Sequence, residues 1–135
     1  DVRMIRLIAA LTLAAAPAFA AAERPMSPAE FEAMVTGKTF TYSVDGQAYG
    51  AEEYHKNRRV TWTFLDGECQ DGTWYVSGEQ ICFAYEKIET HQCWTFYMSG
   101  GQLSARFGDD AEATALYETA QNKEPLMCLG PEIGV

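Results

Sequence analysis

The 135 residues carry 10 Lys and Arg against 19 Asp and Glu, a formal net charge of -9. Such a balance excludes the basic patches that engage nucleic acid or anionic membrane surfaces, and it suits a neutral ligand or a basic partner. A chain of this size is one domain's worth and buries roughly two thirds of its unfolded surface, so one real core is available to it.

In chain order, the first twenty residues read as a secretory signal. Arg3 and Arg6 give a positive start, Leu7 to Ala16 is a ten-residue apolar run, and Ala18-Phe19-Ala20 is a small-x-small cleavage site. The run is short for a bilayer span. No cysteine follows it to serve as a lipid anchor. The reading is a leader over 1–20 and a single disulfide-bonded β domain over 21–135, exported to a periplasm or beyond the cell, with no stable membrane insertion after cleavage. Removing Arg3, Arg6 and Asp1 leaves 8 basic against 18 acidic residues, a net -10.

Ser27-Pro28-Ala29-Glu30 predicts a helix start, with Ser27 as cap, Pro28 at the first helical position and Glu30 completing a capping box. Phe31, Met34 and Val35 form its apolar stripe, and Gly37 ends it. From Lys38 the period becomes two: Phe40, Tyr42 and Val44 share one side of a strand. Asp45-Gly46 turns the chain. Gln47 to Tyr54 is ambiguous, because Tyr49 and Tyr54 suggest a strand while Gly46 and Gly50 suggest bends. Lys56 to Arg59 is a polar connection.

Val60 to Leu65 reads as a strand with Val60, Trp62 and Phe64 on one face. Asp66-Gly67 and Asp71-Gly72 are expected to break it. Gly78-Glu79 suits a two-residue type II′ hairpin that sets Val76 against Ile81 and Trp74 against Phe83. Ser99-Gly100-Gly101-Gln102 makes a second tight hairpin, with Met98 against Leu103, Phe96 against Ala105 and Trp94 against Phe107.

The four cysteines, Cys69, Cys82, Cys93 and Cys128, read as two disulfides in an oxidising compartment. Three pairings are possible, and spacing alone does not choose. If Cys82 lies opposite Cys93, Ile81 pairs with Trp94. That register collects Trp62, Phe64, Trp74, Phe83, Trp94 and Phe96 on one inner face, together with Val60, Val76, Ile81, Met98, Leu103, Ala105 and Phe107. A one-residue slip would scatter them. The bridge would then lie outside, beside Tyr75 and Ala84, and Cys69–Cys128 follows by elimination. Asp109 to Asn122 permits a short helix, but a strand over Thr114–Thr119 would close the sheet.

No chemistry-bearing constellation emerges. Nucleophile-elbow, zinc-protease and phosphate-loop motifs are missing from the sequence. There is no C-x-x-C, and His91-x-Cys93 is not a metal-ligand spacing, so neither metal nor cofactor is expected. Glu52-Glu53 has the composition of a glycosidase carboxylate pair. Neighbours on a strand point to opposite faces, however, and would not converge. Tyr54, His55, Lys56, Arg58 and Arg59 form the one dense basic cluster and a candidate ligand or partner contact. Tyr75, Tyr97 and Arg106 are expected on the outer face as a second candidate contact.

Gly37-Lys38-Thr39, Glu53-Tyr54, Arg58-Arg59-Val60-Thr61-Trp62, Gly72-Thr73-Trp74-Tyr75, Ile81-Cys82-Phe83-Ala84-Tyr85-Glu86 and Cys93-Trp94 together resemble a group of small exported bacterial proteins of unknown function. Their look is similar to small calycin-like β-barrels, relatives of the lipocalins. The resemblance implies a barrel. Short periplasmic barrels of this general kind include inhibitors of lysozymes. The expectation is therefore an all-β domain with one short N-terminal helix, an antiparallel meander forming a small closed or nearly closed barrel, and two disulfides. Its expected role is non-catalytic binding of a small apolar ligand or of a protein partner. The alternatives are inhibition of a basic hydrolase such as a lysozyme, and an enzyme of unrecognised type.

Overall fold

The computed structural model describes residues 14–16, 24–110 and 112–129. The expected leader over 1–20 lies outside the described residues except for 14–16. One helix, α1 (Pro28–Val35), precedes eight strands: β1 (Thr39–Val44), β2 (Gln47–Tyr54), β3 (Arg59–Thr63), β4 (Gln70–Ser77), β5 (Gln80–Tyr85), β6 (Gln92–Ser99), β7 (Gln102–Phe107) and β8 (Ala115–Asn122). Each strand pairs antiparallel with its sequence neighbour, and β8 returns to β1 to close the barrel. The architecture is compatible with a calycin-like appearance.

Turn chemistry sets the register. Gly78 alone of its turn pair has positive φ, at 60°, as type II′ requires, and Ser77 faces Gln80. Asp45-Gly46 and Gly100-Gly101 both hold two successive residues at positive φ, the requirement of type I′. The pairs Trp74↔Phe83, Ile81↔Trp94, Phe96↔Ala105 and Met98↔Leu103 all stand as the hairpins predict. Both disulfides form, Cys82–Cys93 across the outer face of β5 and β6 and Cys69–Cys128 between the β3–β4 loop and the tail. The tail is also held by the Leu129 N–H donating to the Gly67 carbonyl at 2.6 Å.

The helix starts as its capping box dictates. The Ser27 hydroxyl accepts from the Glu30 N–H, and the Glu30 carboxylate accepts from the Ser27 N–H. Its buried face is Phe31 and Val35, both wholly removed from solvent. Phe31 is the stopper of one barrel end. Its ring meets Trp74 and Tyr54 edge-on, with centroids 5.3 and 5.7 Å away, and tilts against Phe96 at 4.6 Å. Burying such a ring is worth about 1.5–3 kcal/mol, with further gain from each edge-on contact. The segment is stitched in place by the Met26 N–H to the Phe96 carbonyl and the Gly37 N–H to the Tyr54 carbonyl, both 2.8 Å.

Several expectations are corrected. Asp71-Gly72 does not break the chain; it lies inside β4, opposite Thr61 and Val60. Gly72 is there because a Cβ would stand 2.4 Å from the Ala84 carbonyl oxygen and 2.8 Å from the Tyr85 ring. The third strand ends at Thr63, whose hydroxyl accepts from the Leu65 N–H as Leu65 turns to a φ of 66°. Phe64 is consequently not on the inner wall but on the rim, 47% exposed. Phe107 and Met98 are exposed as well, at the strand ends. The ambiguous Gln47–Tyr54 is a full strand carrying a bulge. Tyr42 faces Gly50 and Ser43 faces Ala48, so Tyr49 is the extra residue. Asp109–Asn122 resolves as a strand over its second half; Ala111 lies outside the described residues.

The β7–β8 seam is, with β5–β6, one of the two shortest ladders. Strands β7 and β8 pair over only three residues, from Ser104↔Tyr117 to Arg106↔Ala115. Beyond them the Glu118 carboxylate accepts from the Leu103 N–H at 2.9 Å, and the Gln102 side chain donates to the Glu118 carbonyl at 2.6 Å. Side chains continue the seam where the backbone ladder stops.

Candidate functional site

An eight-stranded barrel encloses just enough room for side chains or one small ligand. Here the half next to α1 is filled by Phe31, Phe40, Trp74, Ile81 and Leu103. The half bounded by the β3–β4 and β5–β6 loops is not. It holds a cavity walled by Trp62, Phe83, Trp94 and Phe96 and rimmed by Tyr49, Phe64 and Ile88. With its open mouth the cavity has a volume of about 450 Å³.

Two backbone features shape this wall. The bulge turns Tyr49 onto Trp62 and Phe64, with centroids 5.8 Å from each. Gly50 leaves room for the Trp62 indole, since a Cβ there would lie 2.2 Å from its ring. Trp62 and Phe64 meet edge-on at 5.3 Å, completing an aromatic trio.

Deep in the lumen sits a polar group that sequence reasoning discarded. Glu52 is 1% exposed and lines the cavity. Its Oε1 accepts a 2.8 Å hydrogen bond from the Tyr85 hydroxyl, while its Oε2 has no partner. Burial holds its carboxyl well above the usual carboxylate range, with the Tyr85 hydrogen bond pulling the other way. Burial thus favours the protonated form of Glu52; with Oε1 accepting, the proton of that form stands on Oε2 without an acceptor. Nearby, the Tyr42 and Tyr54 hydroxyls bond each other at 2.8 Å. Burial pushes the pKa of both, and of Tyr85, upward, and the neighbouring Glu52 adds to the effect. Glu53, as expected, points away from Glu52; it binds the Leu126 N–H outside. The period-two alternation from Tyr54 was the signal that placed Glu52 inside.

The sequence-predicted contacts scatter. Tyr54 leaves the basic cluster altogether, because strand alternation turns it into the lumen at 2% exposure. Arg58 is engaged, its guanidinium 4.5 Å over the Trp74 ring and within 3.4 Å of Glu32. Arg59 is exposed. His55 bonds the Thr61 hydroxyl at 2.8 Å and lies 3.4 Å from Glu53. This Glu–His–Thr row has the composition of a hydrolytic triad. Yet Thr61 donates its own proton to Asp71 at 2.8 Å, so the His55 nitrogen is the donor and does not act as a base toward that hydroxyl. Tyr75 bonds His91 at 2.8 Å. Arg106 ties down the β7–β8 loop through the Ala113 carbonyl, and Tyr97 stands half-buried on β6. Among the described residues, no hydrogen bond joins Tyr75, Tyr97 and Arg106 into one surface.

All four cysteines are in disulfides, an arrangement that accords with an oxidising compartment. No helix among the described residues is long and apolar enough to cross a membrane. Fold and cavity together define a closed eight-stranded antiparallel barrel with an aromatic lumen open at one end. Comparison with protein-family models, with curated proteins and with solved structures gives no match.

Proposed function

We propose that this chain is an exported, calycin-like, non-catalytic binding protein that takes a small apolar ligand through the barrel mouth. The observation that carries the reading is the asymmetry of the lumen: plugged by Phe31 at one end, walled by aromatic rings and unfilled at the other. Burial in such a pocket is how barrels of this size hold one small guest. Native mass spectrometry of the protein drawn from its own envelope fraction tests it. A co-purified small molecule that leaves when an apolar fluorescent dye is added is the expected result. A bare oxidised mass, together with no dye binding, overturns it.

A second reading rests on the charge. A net -9 and an apolar rim of Phe64, Leu65 and Phe107 suit a basic protein partner such as a lysozyme. That reading requires salt-sensitive association with basic hydrolases, and its absence from pull-downs at low ionic strength refutes it.

A further inference from the structure

Resting on the ligand-binding reading above, we infer that the guest is a compact organic amine, its ammonium head bonded to Glu52 Oε2 and its apolar body lying in the mouth between Tyr49, Phe64 and Trp94. Four observations converge. Glu52 is almost wholly buried, lines the cavity, and keeps one oxygen without a partner. The other deep polar atoms of the wall are phenol oxygens, of Tyr42 on β1, Tyr54 on β2 and Tyr85 on β5, each able to accept from an N–H. Among the described residues no Lys, Arg or His lines the cavity, so nothing there would compensate an anionic guest. Aromatic faces present the negative side of their quadrupoles to a cation, and the acidic chain draws cations toward it.

An amine also resolves the misfit of the empty site. A neutral alcohol or ketone would satisfy the Oε2 proton but leave the acid and the aromatic faces without a charge to stabilise. An amine takes that proton, or arrives with its own while Glu52 releases one to solvent. Either route ends in the same ammonium–carboxylate pair, in a cavity where such a charge-assisted bond is strong. The cavity, about 450 Å³ with its open mouth, suits a compact guest.

The test compares 2-phenylethylamine with the near-isosteric 2-phenylethanol on the disulfide-bonded protein, by calorimetry and tryptophan fluorescence. The amine is expected to bind about tenfold or more tightly than the alcohol. Glu52→Gln should erase that preference by weakening the amine, with far-UV circular dichroism checking the fold. A second readout needs no variant. Calorimetry in buffers of different ionisation heat should show roughly one proton released with the amine and none with the alcohol. The groups facing Glu52 are the three tyrosines named, all held protonated by burial, so the proton is traceable to Glu52. Equal binding of alcohol and amine, or amine preference persisting in E52Q, overturns the amine assignment while the cavity reading stands. No signal from either compound up to millimolar concentration overturns both.

Discussion

Replacing Glu52 by Gln should make the barrel's stability less sensitive to pH, and the two proteins' stability curves should cross. At pH 4 the acid is neutral in the folded chain and largely so in the unfolded one. Gln keeps an acceptor for the Tyr85 hydroxyl but brings two amide hydrogens where the acid has one. The added unsatisfied donor costs about 1–3 kcal/mol, so the parent is the more stable protein there. Above about pH 4.3 the unfolded Glu ionises while burial keeps the folded one protonated. The folded state then binds more protons than the unfolded, and parent stability falls by about 1.4 kcal/mol per pH unit until the folded acid ionises. Gln carries no such loss. The two stability curves should therefore cross about one to two pH units above the unfolded carboxylate value. Urea titrations from pH 4 to 8, read at constant m, give the difference directly. A gap that stays constant with pH would mean Glu52 is ionised or solvated in the fold, and the reasoning fails.

Other perturbations follow from the packing. Phe31→Ala should cost about 3–5 kcal/mol, toward the upper end because three rings lose their neighbour; a loss below about 1 kcal/mol in urea unfolding would show that α1 does not seal the barrel. Removing Cys69–Cys128, which spans 59 residues, should cost about 4 kcal/mol in the chain-entropy model, and removing Cys82–Cys93, which spans 11, about 3. Thermal unfolding of the paired Ala variants checks the order; a larger loss from the shorter loop would refute it.

The central meander was legible in the sequence residue by residue, because independent signals agreed. Gly78-Glu79, Gly100-Gly101 and the opposition of Cys82 to Cys93 each specify a register, and only one face satisfies all three. Legibility fell where one residue answered two demands. Gly72 reads as a breaker, yet it is a strand residue kept small by the Ala84 backbone and Tyr85 ring. Gln47–Tyr54 loses its period at the Tyr49 bulge, so neither tyrosine alone betrays the strand. Phe64 continues an apolar alternation past the point where Thr63 and Leu65 turn the chain. As a partner for Glu53 alone, Glu52 reads as inert; taken with Tyr54 and Gly50, it falls on the inner face. A charged residue type on an inner face is the kind of local contradiction that marks a site.

The β7–β8 seam gives the barrel a preferred place to come apart. Three backbone pairs hold it, as three join β5 to β6, but only the β5–β6 ladder is stapled by a disulfide, Cys82–Cys93, while six pairs join β4 to β5 and six join β6 to β7. Hydrogen exchange should therefore release the Ser104–Arg106 amides ahead of those in the central meander, since local opening follows the thinnest ladder without a covalent bridge. Two long edges would be bared by such an opening, and bared edges invite strands from other copies. Glu118, on β8, answers that hazard: when the seam parts, its carboxylate leaves the Leu103 N–H and stands as an acidic side chain on the bared β8 edge, where a template for growth would otherwise lie.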